Sequence, residues 1–109
     1  MQMLTQSALS TQYVQVLVQV TAAAPYDPSR DSVAFAFTNA SAFPAVQPSS
    51  GDWNPGEWDV WPGDLYYAQV LVGPANGGVV LSQGRWQCWL KITDQPEVPV
   101  LQPFVLQIV

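Results

Sequence analysis

The stretch Gly84-Arg-Trp-Gln-Cys-Trp-Leu-Lys-Ile-Thr93 decides the fold. Trp86, Cys88, Leu90 and Ile92 fall on one side of a period of two, and Arg85, Gln87, Trp89 and Lys91 on the other. Successive side chains of an extended strand point to opposite faces, so this alternation predicts a strand with one face on a core and the other toward water or a partner. The outward side holds two of the three basic residues and one of the five tryptophans. Burial within a single copy of the chain does not account for them there.

Working outward from this strand, the same period recurs. Tyr13-Val-Gln-Val-Leu-Val-Gln-Val20 sets Val14, Val16, Val18 and Val20 against Tyr13, Gln15, Leu17 and Gln19, a β-branched strand with a mixed outer face. Ser32 to Phe37 places Val33, Phe35 and Phe37 inward against small outward residues, which leaves that outer face open to another backbone or protein surface. Leu65 to Val72 and Val79 to Leu81 read as strands joined by Gly73-Pro-Ala-Asn-Gly-Gly78, where Asn-Gly suits positive φ. A last strand runs from Val100 to Val109 with Phe104, Leu106 and Ile108 on one face, and Pro103 marks an edge or bulge.

Between these runs lie turn compositions. Ala22 to Asp31 and Asp94 to Pro99 carry Pro, Asp and Ser and read as turns. Residues 1–11 have no clear period and read as a flexible N-terminal arm, leaving 12–109 as one domain. The irregular segment is Thr38 to Gly63, where Trp58 and Val60 could alternate with Asp59 and Trp61 in a short strand kept at a sheet edge by Pro55 and Pro62. About seven short strands with no helical pattern predict an all-β antiparallel sandwich, with a small β-barrel as the alternative.

Composition bounds the function. The 109 residues suffice for one core, and 49% hydrophobic with 10% charged residues is a folding rather than a disordered composition. A net charge of −5 with three basic residues gives no patch for phosphate, so no nucleic-acid partner is expected. No apolar run reaches membrane-spanning length, and the first ten residues lack the charged and apolar regions of a secretory leader. The lone Cys88 has no partner for an internal disulfide and falls on the inward face, in keeping with synthesis in a reducing cytoplasm.

Few constellations in the chain could carry chemistry. The absence of histidine removes Ser-His-Asp and Cys-His nucleophiles and His-ligated zinc, and Lys91, the single lysine, has no serine partner. Asp52, Glu57, Asp59 and Asp64 crowd one loop and could act as a glycosidase pair or bind calcium. Turn carboxylates that cap backbone amides explain them more simply, and the EF-hand spacing is missing. No catalysis, metal or cofactor is therefore expected. Trp53, Trp58, Trp61 and Trp89, with Arg85 and Lys91, are the candidate partner-binding residues. Tryptophan dominates interface hot spots, but it also packs into satellite clusters within one molecule, and its flat face suits sugar stacking.

Four blocks carry a resemblance to a known family: Tyr26-Asp-Pro-Ser-Arg-Asp-Ser-Val-Ala-Phe-Ala-Phe37; Asp52-Trp53 with Gly56-Glu-Trp58; Tyr67-Ala-Gln-Val-Leu-Val-Gly-Pro74; and Leu81-Ser-Gln-Gly-Arg-Trp-Gln-Cys-Trp-Leu-Lys-Ile-Thr-Asp-Gln-Pro-Glu-Val-Pro-Val100. From Tyr26 onward the chain resembles small proteins encoded among the virion structural genes of tailed phages that infect actinobacteria. The family's closing strand opens on glycine, where this chain has Pro103-Phe104. The chain also looks like the immunoglobulin-like modules that phages use in capsid decoration and head-tail joining. The resemblance implies an immunoglobulin-like sandwich and a structural part of a virion, made in the host cytoplasm. It implies contacts with capsid, connector or tail proteins and with copies of itself, and transfers no catalytic residue. The alternative from the residues alone is a carbohydrate-binding module using exposed tryptophans.

Overall fold

A computed structural model describes residues 3–18, 31–41, 46–63, 65–93 and 100–109. These residues form strands β1 (Met3–Gln6), β2 (Gln12–Val18), β3 (Ser32–Asn39), β4 (Asn54–Pro55), β5 (Glu57–Trp61), β6 (Leu65–Val72), β7 (Gly84–Thr93), β8 (Val100–Leu101) and β9 (Val105–Ile108). The larger sheet runs β1-β9-β7-β3-β4, with β8 also paired to β7, and the smaller runs β2-β6-β5. Neither sheet closes on itself, so the sandwich holds and the barrel alternative does not.

The alternation that singled out β7 produces the core. Cys88, Leu90 and Ile92 are buried, and together with Val33 and Phe35 of β3 and Phe104, Leu106 and Ile108 around β9 they pack against Val14 of β2 and Ala68, Val70 and Val72 of β6. Both sheets therefore share one apolar interior, as a sandwich requires. Phe35, Ala68, Cys88 and Leu90 have no exposed surface at all. The order β2-β6-β5 facing β9-β7-β3 is the B-E-D and G-F-C arrangement of immunoglobulin-like sandwiches. One strand departs from the constant-type pattern. The first strand does not flank the second; it runs parallel to the last, Met3 opposite Val105 through Gln6 opposite Ile108.

Over Met3–Gln6 that pairing corrects the flexible arm expected for residues 1–11. Apolar periodicity is a poor guide to a four-residue strand held by hydrogen bonds. Gln6 is buried, and its Nε2 donates to the carbonyls of Val72 (2.9 Å) and Ser10 (3.1 Å). A satisfied buried amide thus ties β1 of the larger sheet to β6 of the smaller.

Two more strands differ from expectation. Val79 makes only an isolated parallel bridge to Val72, so Val79 to Leu81 is not a strand. The last strand is split into β8 and β9, because Pro103 supplies no amide proton to a ladder. Beside the break Gln87 Nε2 donates to the Phe104 carbonyl at 3.0 Å, and the Cys88 amide donates to the same oxygen at 3.0 Å. Elsewhere the expected elements stand: β5 is an edge strand, and Asn76 and Gly77 take positive φ (56° and 74°) in the turn after β6. The turns read at Ala22 to Asp31 and Asp94 to Pro99 lie outside the described residues apart from Asp31, as do Gln19, Val20 and Asp64.

The chain passes from the edge of one sheet to the edge of the other at Gly56. Its amide donates to the Val33 carbonyl at 2.9 Å, and a Cβ there would lie 2.9 Å from Phe35 Cε1 and 3.0 Å from the Gln69 carbonyl oxygen. Only glycine lets the crossing pass this close to the core, and the crossing places β5 and Trp61 on the smaller sheet.

Candidate functional site

The outer face of the larger sheet collects Arg85, Trp89 and Lys91 by alternation along β7. Trp53, one residue before β4, joins them: the Lys91 Nζ sits 4.5 Å from the centre of its ring. A cation over an indole face at this distance is an attraction of about 0.5–1 kcal/mol where it is solvent-exposed. Trp89 Nε1 donates to Thr38 Oγ1 at 2.9 Å, and Thr38 and Ala36 beneath it are buried. The small residues of β3 thus do not leave this face open, as the sequence suggested; the face is covered by the protein's own indoles. Arg85 remains exposed at the start of β7.

Trp58 is turned the other way. It is half-buried against the core, with its Nε1 donating to the Asp31 carbonyl at 2.8 Å. Trp86, on the inward side of β7 as expected, is also half-buried and donates to the Ser82 carbonyl at 2.9 Å. The candidate residues therefore do not form one platform. Four of them share the larger sheet's outer face, Trp58 joins the core, and Trp61 stands alone on the smaller sheet.

Trp61 has companions that sequence reasoning did not single out. The outer face of the smaller sheet carries Tyr13, Gln15 and Leu17 from β2, Leu65, Tyr67, Gln69 and Leu71 from β6, and Glu57, Asp59 and Trp61 from β5, aligned by register. Tyr13, Leu17, Trp61 and Leu65 are between 40% and 52% exposed, and Trp61 meets Tyr67 edge-on with centroids 6.2 Å apart. The signal was present in Tyr13 and Leu17, two large apolar residues on the polar side of an alternating strand.

A hydrogen-bond chain fixes the middle of this face. Trp61 Nε1 donates to Asp59 Oδ2 at 2.9 Å, and Gln15 Nε2 donates to the same oxygen at 3.0 Å and to Gln69 Oε1 at 2.8 Å. Since an ionised carboxylate only accepts, Gln15 must present its nitrogen, and Gln69 must then present its oxygen. Gln69 also lines the neighbouring cleft. That cleft, about 290 Å³, is lined among others by Tyr13, Asn54, Glu57, Gln69, Leu71 and Asn76.

Of the carboxylates suspected of acid–base work, Glu57 and Asp59 share the outer face of β5, Asp52 lies on a separate turn, and Asp64 is outside the described residues. Asp52 closes a one-turn 3-10 helix over Ser50–Asp52 and accepts from the Ser49 amide at 2.8 Å and Ser49 Oγ at 3.0 Å. These hydrogen bonds lower its pKa. Asp59 is held by Gln15 and Trp61 as above, and among the described residues no three acidic or sulfur ligands gather as a metal site. Burial pushes the Cys88 thiol up to about 12, so it stays protonated and unreactive at neutral pH. The two outer faces differ in sign: Arg85 and Lys91 lie on one, Glu57 and Asp59 on the other. No family model, curated protein or solved structure matches the chain.

Proposed function

We propose that the protein is a structural component of a tailed-phage particle, in capsid decoration or head-tail joining, and that it works by protein–protein contact rather than catalysis. The observation that carries the contact reading is the smaller sheet's outer face, where Leu17, Leu65 and Trp61 stay 40–52% exposed around Tyr67, and Tyr13 stays 50% exposed beyond Gln15. Large apolar side chains left exposed together in this way mark an interaction site on a folded domain. The virion setting rests on the resemblance of the four sequence blocks. Quantitative mass spectrometry of purified particles tests it: a fixed copy number per particle is expected, matching either the capsid lattice or the portal ring. Absence from particles overturns the proposal. Trp61→Glu, which puts a charge on the exposed face, is expected to fold and yet fail to incorporate.

A second reading, a carbohydrate-binding module, is favoured by the cleft beside Tyr13. Its amides, the Glu57 carboxylate and an aromatic ring are the donors, acceptors and stacking surface that sugar hydroxyls and ring faces require. The tryptophans lend less support, because Lys91 occupies a face of Trp53 and Trp58 packs on the core. Titration with host-wall glycans, followed by fluorescence, separates the readings: saturable quenching favours the module, and silence favours assembly.

A further inference from the structure

We infer that β2 is the docking edge of the sandwich and that its occupant is the β2 strand of a second copy, paired antiparallel about a two-fold axis at Gln15. This deepens the assembly reading and rests on it for the kind of partner.

Of the described strands at sheet margins, β2 alone is unprotected. Sheet edges offer unpaired amide and carbonyl groups, and proteins guard them with prolines, charges or very short strands. At the other margins β4 has two residues and includes Pro55, β1 has four residues, and β5 carries Glu57 and Asp59 and ends at Pro62. In contrast β2 extends seven residues, Gln-Tyr-Val-Gln-Val-Leu-Val, without a charge, a proline or a glycine. A first strand on the same sheet would have covered it, but β1 pairs with β9 of the larger sheet. Among the described residues, β6 is the only strand that pairs with β2.

The strand is self-complementary. An antiparallel pairing that uses all seven residues sets Gln12 opposite the second copy's Val18, Tyr13 opposite Leu17, Val14 opposite Val16, and Gln15 opposite itself. Valine meets valine on the inner side. On the outer side each half-exposed Tyr13 (50%) packs on a half-exposed Leu17 (41%), twice over by symmetry. Because Tyr67 lies opposite Leu17 and Leu71 opposite Tyr13 in each copy, the apolar row continues across the junction. The acidic residues do not oppose this. With strands about 4.8 Å apart the two β5 backbones lie roughly 24 Å from one another. Although Asp59 Oδ2 leans in to meet Gln15 Nε2 at 3.0 Å, a side-chain reach of roughly 4 Å on each side leaves the two carboxylates about 16 Å or more apart, beyond the screening length of about 8 Å.

Sedimentation equilibrium of the full chain, with charge-reversal variants, tests the pairing. The parent is expected to dimerise with rising concentration. In the double variant Tyr13→Lys with Leu17→Lys, lysine faces lysine in both outer pairs, and in Tyr13→Glu with Leu17→Glu, glutamate faces glutamate. Each should weaken the dimer at least about tenfold, and an equimolar mixture should dimerise again, because lysine then faces glutamate. A monomeric parent, double variants that still dimerise, or a mixture that stays monomeric overturns the inference. If the variants fail to fold, hydrogen exchange on the parent decides instead: β2 amides must gain protection with protein concentration, and concentration-independent exchange refutes the pairing. A monomer found on particles overturns the pairing alone, whereas a dimer missing from particles overturns the virion proposal alone.

Discussion

Replacing Gly56 by alanine tests how the two sheets are joined. The new methyl would sit 2.9 Å from Phe35 Cε1 and 3.0 Å from both Phe35 Cδ1 and the Gln69 carbonyl oxygen. Phe35 is completely buried between the sheets and cannot swing away. The Gln69 carbonyl belongs to β6, the middle strand of its sheet, so it cannot yield either. Overpacking a filled core costs about 1–3 kcal/mol, while alanine's smaller unfolded-state entropy returns roughly 0.4–1 kcal/mol. The net expectation is a loss of about 1–2 kcal/mol, a fall in melting temperature on the order of 5–10 °C for a domain of this size. Urea unfolding by circular dichroism reads the change. Gly51→Ala is the control, since a Cβ at Gly51 meets nothing within 4 Å; it should be neutral or slightly stabilising. Phe35→Leu in the Gly56→Ala background should recover part of the loss relative to Phe35→Leu alone, a positive coupling in the double-mutant cycle. A Gly56→Ala protein as stable as the parent, or no coupling to Phe35, would refute the close crossing.

Other expected outcomes concern the interior and the two faces. Because burial raises the Cys88 thiol from its ordinary 9.0 to about 12, the folded state holds that proton longer than the unfolded chain does. The resulting stability is intact below pH 9 and falls as pH rises toward 12, by up to about 1.4 kcal/mol per pH unit; Cys88→Ala should flatten this alkaline slope in pH-dependent urea melts. Thr38→Val keeps the shape but removes the acceptor of Trp89 Nε1, and should cost about 1 kcal/mol and shift the near-ultraviolet dichroism of the indoles. Asp59→Asn removes the carboxylate that holds Trp61 and Gln15. It should leave overall stability within about 0.5 kcal/mol, since both hydrogen bonds are exposed, while loosening the Trp61 ring as seen by nuclear magnetic resonance relaxation.

Strand period alone carried the class of fold, for a physical reason visible in β7 and β3. A side chain alternating apolar and polar along an extended chain can satisfy only one arrangement, apolar face inward, and Cys88, Leu90, Val33 and Phe35 obey it. The turn at Asn76-Gly77 was equally legible, because positive φ is a local property of the residues. What could not be read was anything decided by who lies opposite whom. The four residues of β1 are a strand because the backbone of β9 is there to receive them, and Gln6 is buried because the Val72 and Ser10 carbonyls await its amide. The tryptophans look alike in the chain, yet Lys91 caps Trp53, Thr38 holds Trp89, the core takes Trp58, and Trp61 alone joins Tyr13 and Leu17 on the open face. Alternation says which way a side chain points relative to its own strand, whereas cover comes from neighbours distant in sequence. Only the tertiary structure, by moving β1 to the larger sheet, left the uncharged edge of β2 with no strand paired to it among the described residues.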